Sequence, residues 1–223
     1  IWSSIVALSK LAANSFDLTD NYAFTGTTTG VTSTQKLFLI KNIDASSDSS
    51  ISFVDGSSSV DLDNTYKTYL FKFINMHSNT DNRTFGFQGS TNSGSSYGVT
   101  TTSTYFESYH KEDDSNSGLA YNGSYDLAQS TNEISLSHSI DATNADSSCS
   151  GELWLFNPSS TTFVKHFIGT VARAGNNDIQ GNNYSAGYFN TTSAINAIRF
   201  GFSASGSLNG NIDSGRIALY GIK

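Results

Sequence analysis

The chain has one cysteine, one proline and one methionine in 223 residues, and charged side chains make up only 14% of it. Each scarcity excludes something. Cys149, being alone, closes no intrachain disulfide and offers no metal-binding pair. There are 12 lysines and arginines against 19 aspartates and glutamates, a formal charge of −7. The basic residues stand singly, so the clustered cations that nucleic-acid phosphates require are missing. No apolar run reaches the length of a bilayer-spanning helix. The opening stretch carries Lys10 among its apolar residues and lacks the layout of a signal peptide. A nucleophile elbow, a zinc-ligand pair and a phosphate loop are also missing. These gaps set the expectation: no enzyme, no cofactor, no nucleic acid and no membrane.

Aromatic residues are plentiful, with 15 Phe, 11 Tyr and 2 Trp. Large rings bury much area per residue, so a modest number can fill a core. Serine, threonine, asparagine and glycine dominate the remainder, and charge falls below the roughly 25% of ordinary globular domains. Disordered chains share that polarity but lack regularly spaced aromatic and β-branched residues. A folded chain with a hydroxyl- and amide-rich surface is expected.

The spacing of those residues has a period of two. Ile198, Phe200 and Phe202 alternate with Arg199, Gly201 and Ser203; Ile217 and Leu219 flank Ala218, with Arg216 and Tyr220 outward. Such alternation predicts antiparallel strands with one buried and one wet face. Residues 151–171 predict a hairpin, in which Leu153 and Leu155 precede the turn Asn157-Pro158-Ser159-Ser160 and Phe163, Lys165 and Phe167 follow it. Further strands are expected over 36–42 (buried on both sides), 50–54, 65–76, 83–88, 100–110, 126–128, 133–137 and 184–190. No long helical patterns alternate with them, which argues against βαβ units. The architecture predicted is an all-β antiparallel two-sheet β-sandwich, jelly-roll-like, over residues 31–223. Ahead of it, residues 1–30 read as a short N-terminal arm and linker. Ile1, Ile5, Leu8 and Leu11 fall at helical spacing there and form an apolar stripe suited to an oligomer or particle contact.

Several stretches carry a resemblance. LWLFNPSSTTFVKHFIGTV, AGYFNTTSAINAIRFGFSAS, GNIDSGRIALYGIK, FVDGSSSVDLDNTYKTYLFKF and SFDLTDNYAFTGT, together spanning most of the chain from Ser15 to Lys223, resemble a family of virion structural proteins of tailed marine bacteriophages. The motifs are hairpins, turns and core strands, with no catalytic signature. The resemblance implies a jelly-roll or sandwich domain located in the virion, with other virion proteins as partners. Capsid decoration or a short fibre or appendage suits a chain without shaft repeats. Jelly-roll virion proteins assemble with cyclic symmetry, so a homo-oligomer, with a trimer favoured, is expected. The alternative is a lectin-like receptor-binding module that recognises host surface glycan.

Candidate sites are few. Trp154, Tyr184, Tyr188 and Tyr220 are candidates for a glycan platform or a subunit contact, because aromatic residues are enriched at interfaces. Glu107, Glu133 and Glu152 are the carboxylates that glycoside cleavage would need in a pair. His77, His110, His138 and His166 have no ligand spacing, and His166 is expected to be partly buried in a hydrogen bond. The run 113–118 has the flavour of a calcium loop, but Ser124 stands where a bidentate glutamate belongs, so it reads as solvated. Runs 141–146 and 209–213 are similar oxygen-rich loops. Asn82, Asn122, Asn183 and Asn190 open glycosylation sequons, of the kind such a composition produces by chance.

Overall fold

The computed structural model describes residues 36–143, 146–204 and 206–223. The arm expected over residues 1–30, with Ile1, Ile5, Leu8 and Leu11, lies outside the described residues. Among the described residues the regular structure is β1 (Leu37–Asp48), β2 (Ile51–Val54), β3 (Thr68–Ser78), β4 (Arg83–Ser90), β5 (Thr101–Lys111), β6 (Ser117–Tyr121), β7 (Leu127–Ser130), β8 (Ile134–Ile140), β9 (Ser148–Phe156), β10 (Lys165–Gly175), β11 (Ile179–Phe189), β12 (Ala197–Ser203), β13 (Leu208–Gly210) and β14 (Ile212–Ile222). One 3-10 turn, Asn176–Asp178, links β10 to β11.

The strands form two antiparallel sheets, as the period-two patterning predicts. In eight of them the order is that of a jelly roll: β1-β14-β3-β9 in one sheet, and β2-β12-β4-β8 in the other. The chain adds β5, β6 and β7 between β4 and β8, and β10 and β11 between β9 and β12. All five extra strands join the first sheet, which reaches nine strands. The second sheet gains only β13, beside β12, and has five.

Phenylalanines fill the space between the sheets. The Phe200 ring lies 5.0 Å from that of Phe71, 5.2 Å from Phe73 and 6.1 Å from Phe53, at steep angles that suit ring quadrupoles. Phe85, Phe87, Phe167, Phe189 and Phe202 extend the same cluster. Ile198, Phe200 and Phe202 are all buried, as their alternation predicts, and so are Ile217 and Leu219. The hairpin also forms: β9 and β10 pair in register, Leu155 opposite Phe167. Ser160 N–H closes its turn on Asn157 O at 3.0 Å, with Asn157 in the left-handed region at φ 46°.

Four expectations are corrected. The strand over 36–42 is not buried on both sides: β1 is a sheet edge, pairing only with β14, and Leu39 is 52% exposed. Gly201, Ser203 and Ala218 are not on wet faces but buried. Phe163 lies outside the hairpin strand and is exposed. Two short strands, β6 and β13, form where the sequence has no apolar alternation, held by backbone pairing to β5 and β12.

Candidate functional site

The large sheet has two faces, and strand parity assigns every residue on it. Odd-numbered positions of β9, β10, β11 and β5 face the core; even-numbered ones face away. Register then builds a row across seven strands of the outer face: Leu39, Tyr220, Leu70, Trp154, Ile168, Ala186 and Thr104, each opposite the next. Leu70 is buried within this row, while Ile168 is 50% exposed. An adjoining row sets Thr170 opposite Tyr184, Tyr184 opposite Phe106, and Phe106 opposite Tyr121. The Phe106 and Tyr184 rings stack 4.8 Å apart, 9° from parallel. Tyr188 lies in the row on the other side of Ala186, opposite His166, with ring centroids 5.9 Å apart.

Trp154, Tyr184, Tyr188 and Tyr220, far apart in sequence, therefore share one face of one sheet. The polar ends of Trp154 and Tyr184 are tied down. Trp154 Nε1–H donates to Glu152 Oε1 at 2.9 Å, and Lys72 Nζ sits 3.1 Å from Glu152 Oε2. The Trp154 hydrogen bond, more than the Lys72 charge, holds the Glu152 carboxyl below its ordinary range. Tyr184 accepts a hydrogen bond from Asn182 Nδ2. Trp154, Tyr184, Tyr188 and Tyr220 are each half-buried on this face, while Phe106 and Ile168 are exposed.

The opposite face carries a polar cluster where β5, β10 and β11 cover β8. Glu107 Oε2 lies 2.8 Å from His138 Nε2 and 3.2 Å from Arg173 NH2, and Asn122 Nδ2 donates to Glu107 Oε1 at 3.3 Å. Ser139 Oγ is 2.9 Å from His138 Nδ1. Facing a carboxylate, which only accepts, His138 donates from Nε2, while its Nδ1 meets the Ser139 hydroxyl. Tyr125 stacks on its face at 4.4 Å. Burial pushes the Glu107 carboxyl up, but the hydrogen bonds from His138, Asn122 and Arg173 outweigh it and hold the group low. Burial, helped by the Arg173 charge, lowers His138. Asn183 and Ser185 continue the cluster, reaching Ser137 Oγ at 3.1 Å and Ser135 O at 2.6 Å.

The three glutamates thus do not pair. Glu107 is inside the sandwich, Glu152 is on the outer face, and Glu133 gives Oε1 to Ser203 Oγ–H while burial pushes its carboxyl up to about 7. A Cβ at Gly86 would lie 2.7 Å from Ile134 O and 3.2 Å from Glu133 Cγ, so glycine there lets the β8 entry press against β4. His166 is exposed rather than partly buried, because its strand position points outward. His77 and His110 meet Asp213 and Asp114 at 3.3 and 3.1 Å. In the 113–118 loop, Asp113 Oδ1 accepts from Ser115 N–H and Oγ–H. In the 141–146 run, of which 144 and 145 are outside the described residues, Asp141 Oδ1 accepts from Asn82 N–H. Among the described residues no three His, Cys, Asp or Glu side chains gather as a metal site. Cys149 is buried, and burial pushes its thiol up to about 12. Asn183 is wholly buried and cannot carry a glycan.

No family model, curated protein or solved structure matches the chain.

Proposed function

We propose that this chain is a non-enzymatic structural protein on the exterior of a tailed phage particle, as capsid decoration or a short appendage, and that the outer face of its nine-stranded sheet makes the subunit contacts. One observation carries the contact surface: the aromatic and aliphatic row that begins at Leu39 and crosses seven strands. The added strands β10, β11 and β5 widen this face and bring Ile168, Tyr184, Tyr188 and Phe106 to it. A few buried aromatic anchors ringed by polar residues dominate most protein contacts. The occupant is a further copy of the chain in a cyclic trimer. Assignment to a virion rests on the sequence resemblance.

The test is the oligomeric state. Light scattering at tens of micromolar should find a trimer for the wild type and a monomer with unchanged melting temperature for Ile168→Glu. A wild-type monomer, or a trimer indifferent to Ile168→Glu, removes this face as the contact. Mass spectrometry of purified particles separates hundreds of copies, as in capsid decoration, from the few of an appendage. Absence from particles refutes the virion reading.

A further inference from the structure

A cavity of about 570 Å³ lies between the start of β4, the turn entering β7, the entry to β8, and Ala204 and Gly206 beyond β12. Its volume falls within the roughly 300–1,000 Å³ of small-molecule sites. None of the outer-face aromatics lines it. Two side chains on its wall are left incomplete by the fold. Glu133 is 4% exposed, and its Oε2 is buried without a hydrogen-bond partner, although Oε1 holds Ser203. Arg83 also lines the cavity, and its Nε is buried without a partner. Native folds seldom leave such groups idle, because each carries its full desolvation cost. One is an acceptor and the other a donor.

The rest of the lining narrows the class of ligand. Asp81 and Asp126 line the cavity along with Glu133, so an anion would meet three carboxyl groups for one guanidinium. The backbone N–H groups of Ala142 and Thr143, at 2.9 and 3.1 Å, keep Asp81 low and ionised. A metal cation is not favoured, because no three His, Cys, Asp or Glu side chains converge as a metal site among the described residues. An apolar ligand would bury Asn82, Thr84, Asn132 and Ser135 against nothing. A hydroxyl group fits, since it gives a proton to a carboxyl oxygen and accepts one from a guanidinium. Tyr125 supplies a ring at the wall, fixed by its stack on His138.

We infer that this cavity binds a neutral, polyhydroxylated ligand, an oligosaccharide, with Glu133 and Arg83 as its polar anchors. The site is separate from the outer face of the large sheet, so a subunit could hold a saccharide while its sheet face is engaged with a neighbour.

The full chain is probed on an array of neutral and sialylated oligosaccharides, and the best neutral binder is then titrated by calorimetry. Arg83→Met and Glu133→Leu should each weaken it at least tenfold, with cooperative melting retained, while Phe163→Ser, at an exposed position away from the cavity, leaves it unchanged. If one of the two variants does not fold, the other decides. Binding of sialylated glycans alone, binding that survives the folded cavity variants, loss of binding with Phe163→Ser, or no neutral saccharide bound at millimolar concentration each overturns the inference. The readout is saccharide affinity rather than oligomeric state, so its failure leaves the trimer proposal standing.

Discussion

Glu107 and Glu133 are buried to nearly the same degree, 6% and 4% exposed, yet their carboxyls shift in opposite directions. Glu107 sits on the inner face of β5, where β10 brings the Arg173 guanidinium and β8 brings a histidine ring N–H. Its charge is kept because three neighbours donate to it. Glu133 stands at the entry to β8, where the protein supplies only the Ser203 hydroxyl. With desolvation uncompensated, the neutral acid is favoured. Burial alone does not decide ionisation; the strand order that delivers partners does.

The comparison breaks most severely at Arg173. Arg173→Met leaves Glu107 buried without its one fixed cation, and removing one partner of a buried pair costs about 3–5 kcal/mol. Urea unfolding at pH 7 should show that loss, and a loss below about 1 kcal/mol would mean that Glu107 is satisfied without the guanidinium.

Glu133→Gln is expected to act in the other direction. The folded-state carboxyl is raised to about 7 from an ordinary 4.5, so between those values the folded protein holds more protons than the unfolded chain. Stability linked to this group is complete below the lower value and falls as pH rises to the upper one. The full cost, about 3 kcal/mol, stands at pH 8. The glutamine variant should be more stable than wild type by about that amount at pH 8, and nearly equal to it at pH 4. Glu107 contributes with the opposite sign, since its lowered carboxyl adds stability above the unfolded value that is lost as pH falls. A wild-type profile parallel to that of Glu133→Gln would show that Glu133 is not desolvated as the structure has it.

The smallest effect belongs to the half-buried glutamate of the outer face. Glu152→Gln cuts the Lys72 pair on the outer face, and such surface pairs are worth about 0–1 kcal/mol and weaken with salt. Thermal unfolding in low and high salt should show a difference within that range. A larger, salt-independent loss would mean that the Glu152 charge does more than pair with Lys72, since glutamine still offers an oxygen to Trp154 Nε1–H.

Much of the sandwich was legible beforehand. The runs containing Phe85 and Phe87, Leu153 and Leu155, and Ile198, Phe200 and Phe202 alternate cleanly, because a pleated strand sends successive side chains to opposite faces. The cluster around Glu107 was not legible as a cluster: His138 is 31 residues away and Arg173 is 66. One signal for it was present. In β10 both Lys165 and Arg173 share the parity of Phe167 and Val171, and a cation at an inward position requires buried acceptors. Lys165 finds them in the carbonyls of Phe163 and Thr191, at 3.1 Å each. Arg173 finds Glu107.

The outer-face aromatics show the same division. That Trp154, Tyr184, Tyr188 and Tyr220 each oppose a core-facing neighbour follows from period two, a local property of the backbone. Their collection on one surface required the tertiary structure, because β14, β9 and β11 stand second, fourth and sixth in the order of the large sheet counted from β1. Local sterics set which way each side chain points. Which side chains meet is decided by which strands pair, and those partners lie tens of residues away, where no short-range pattern reaches.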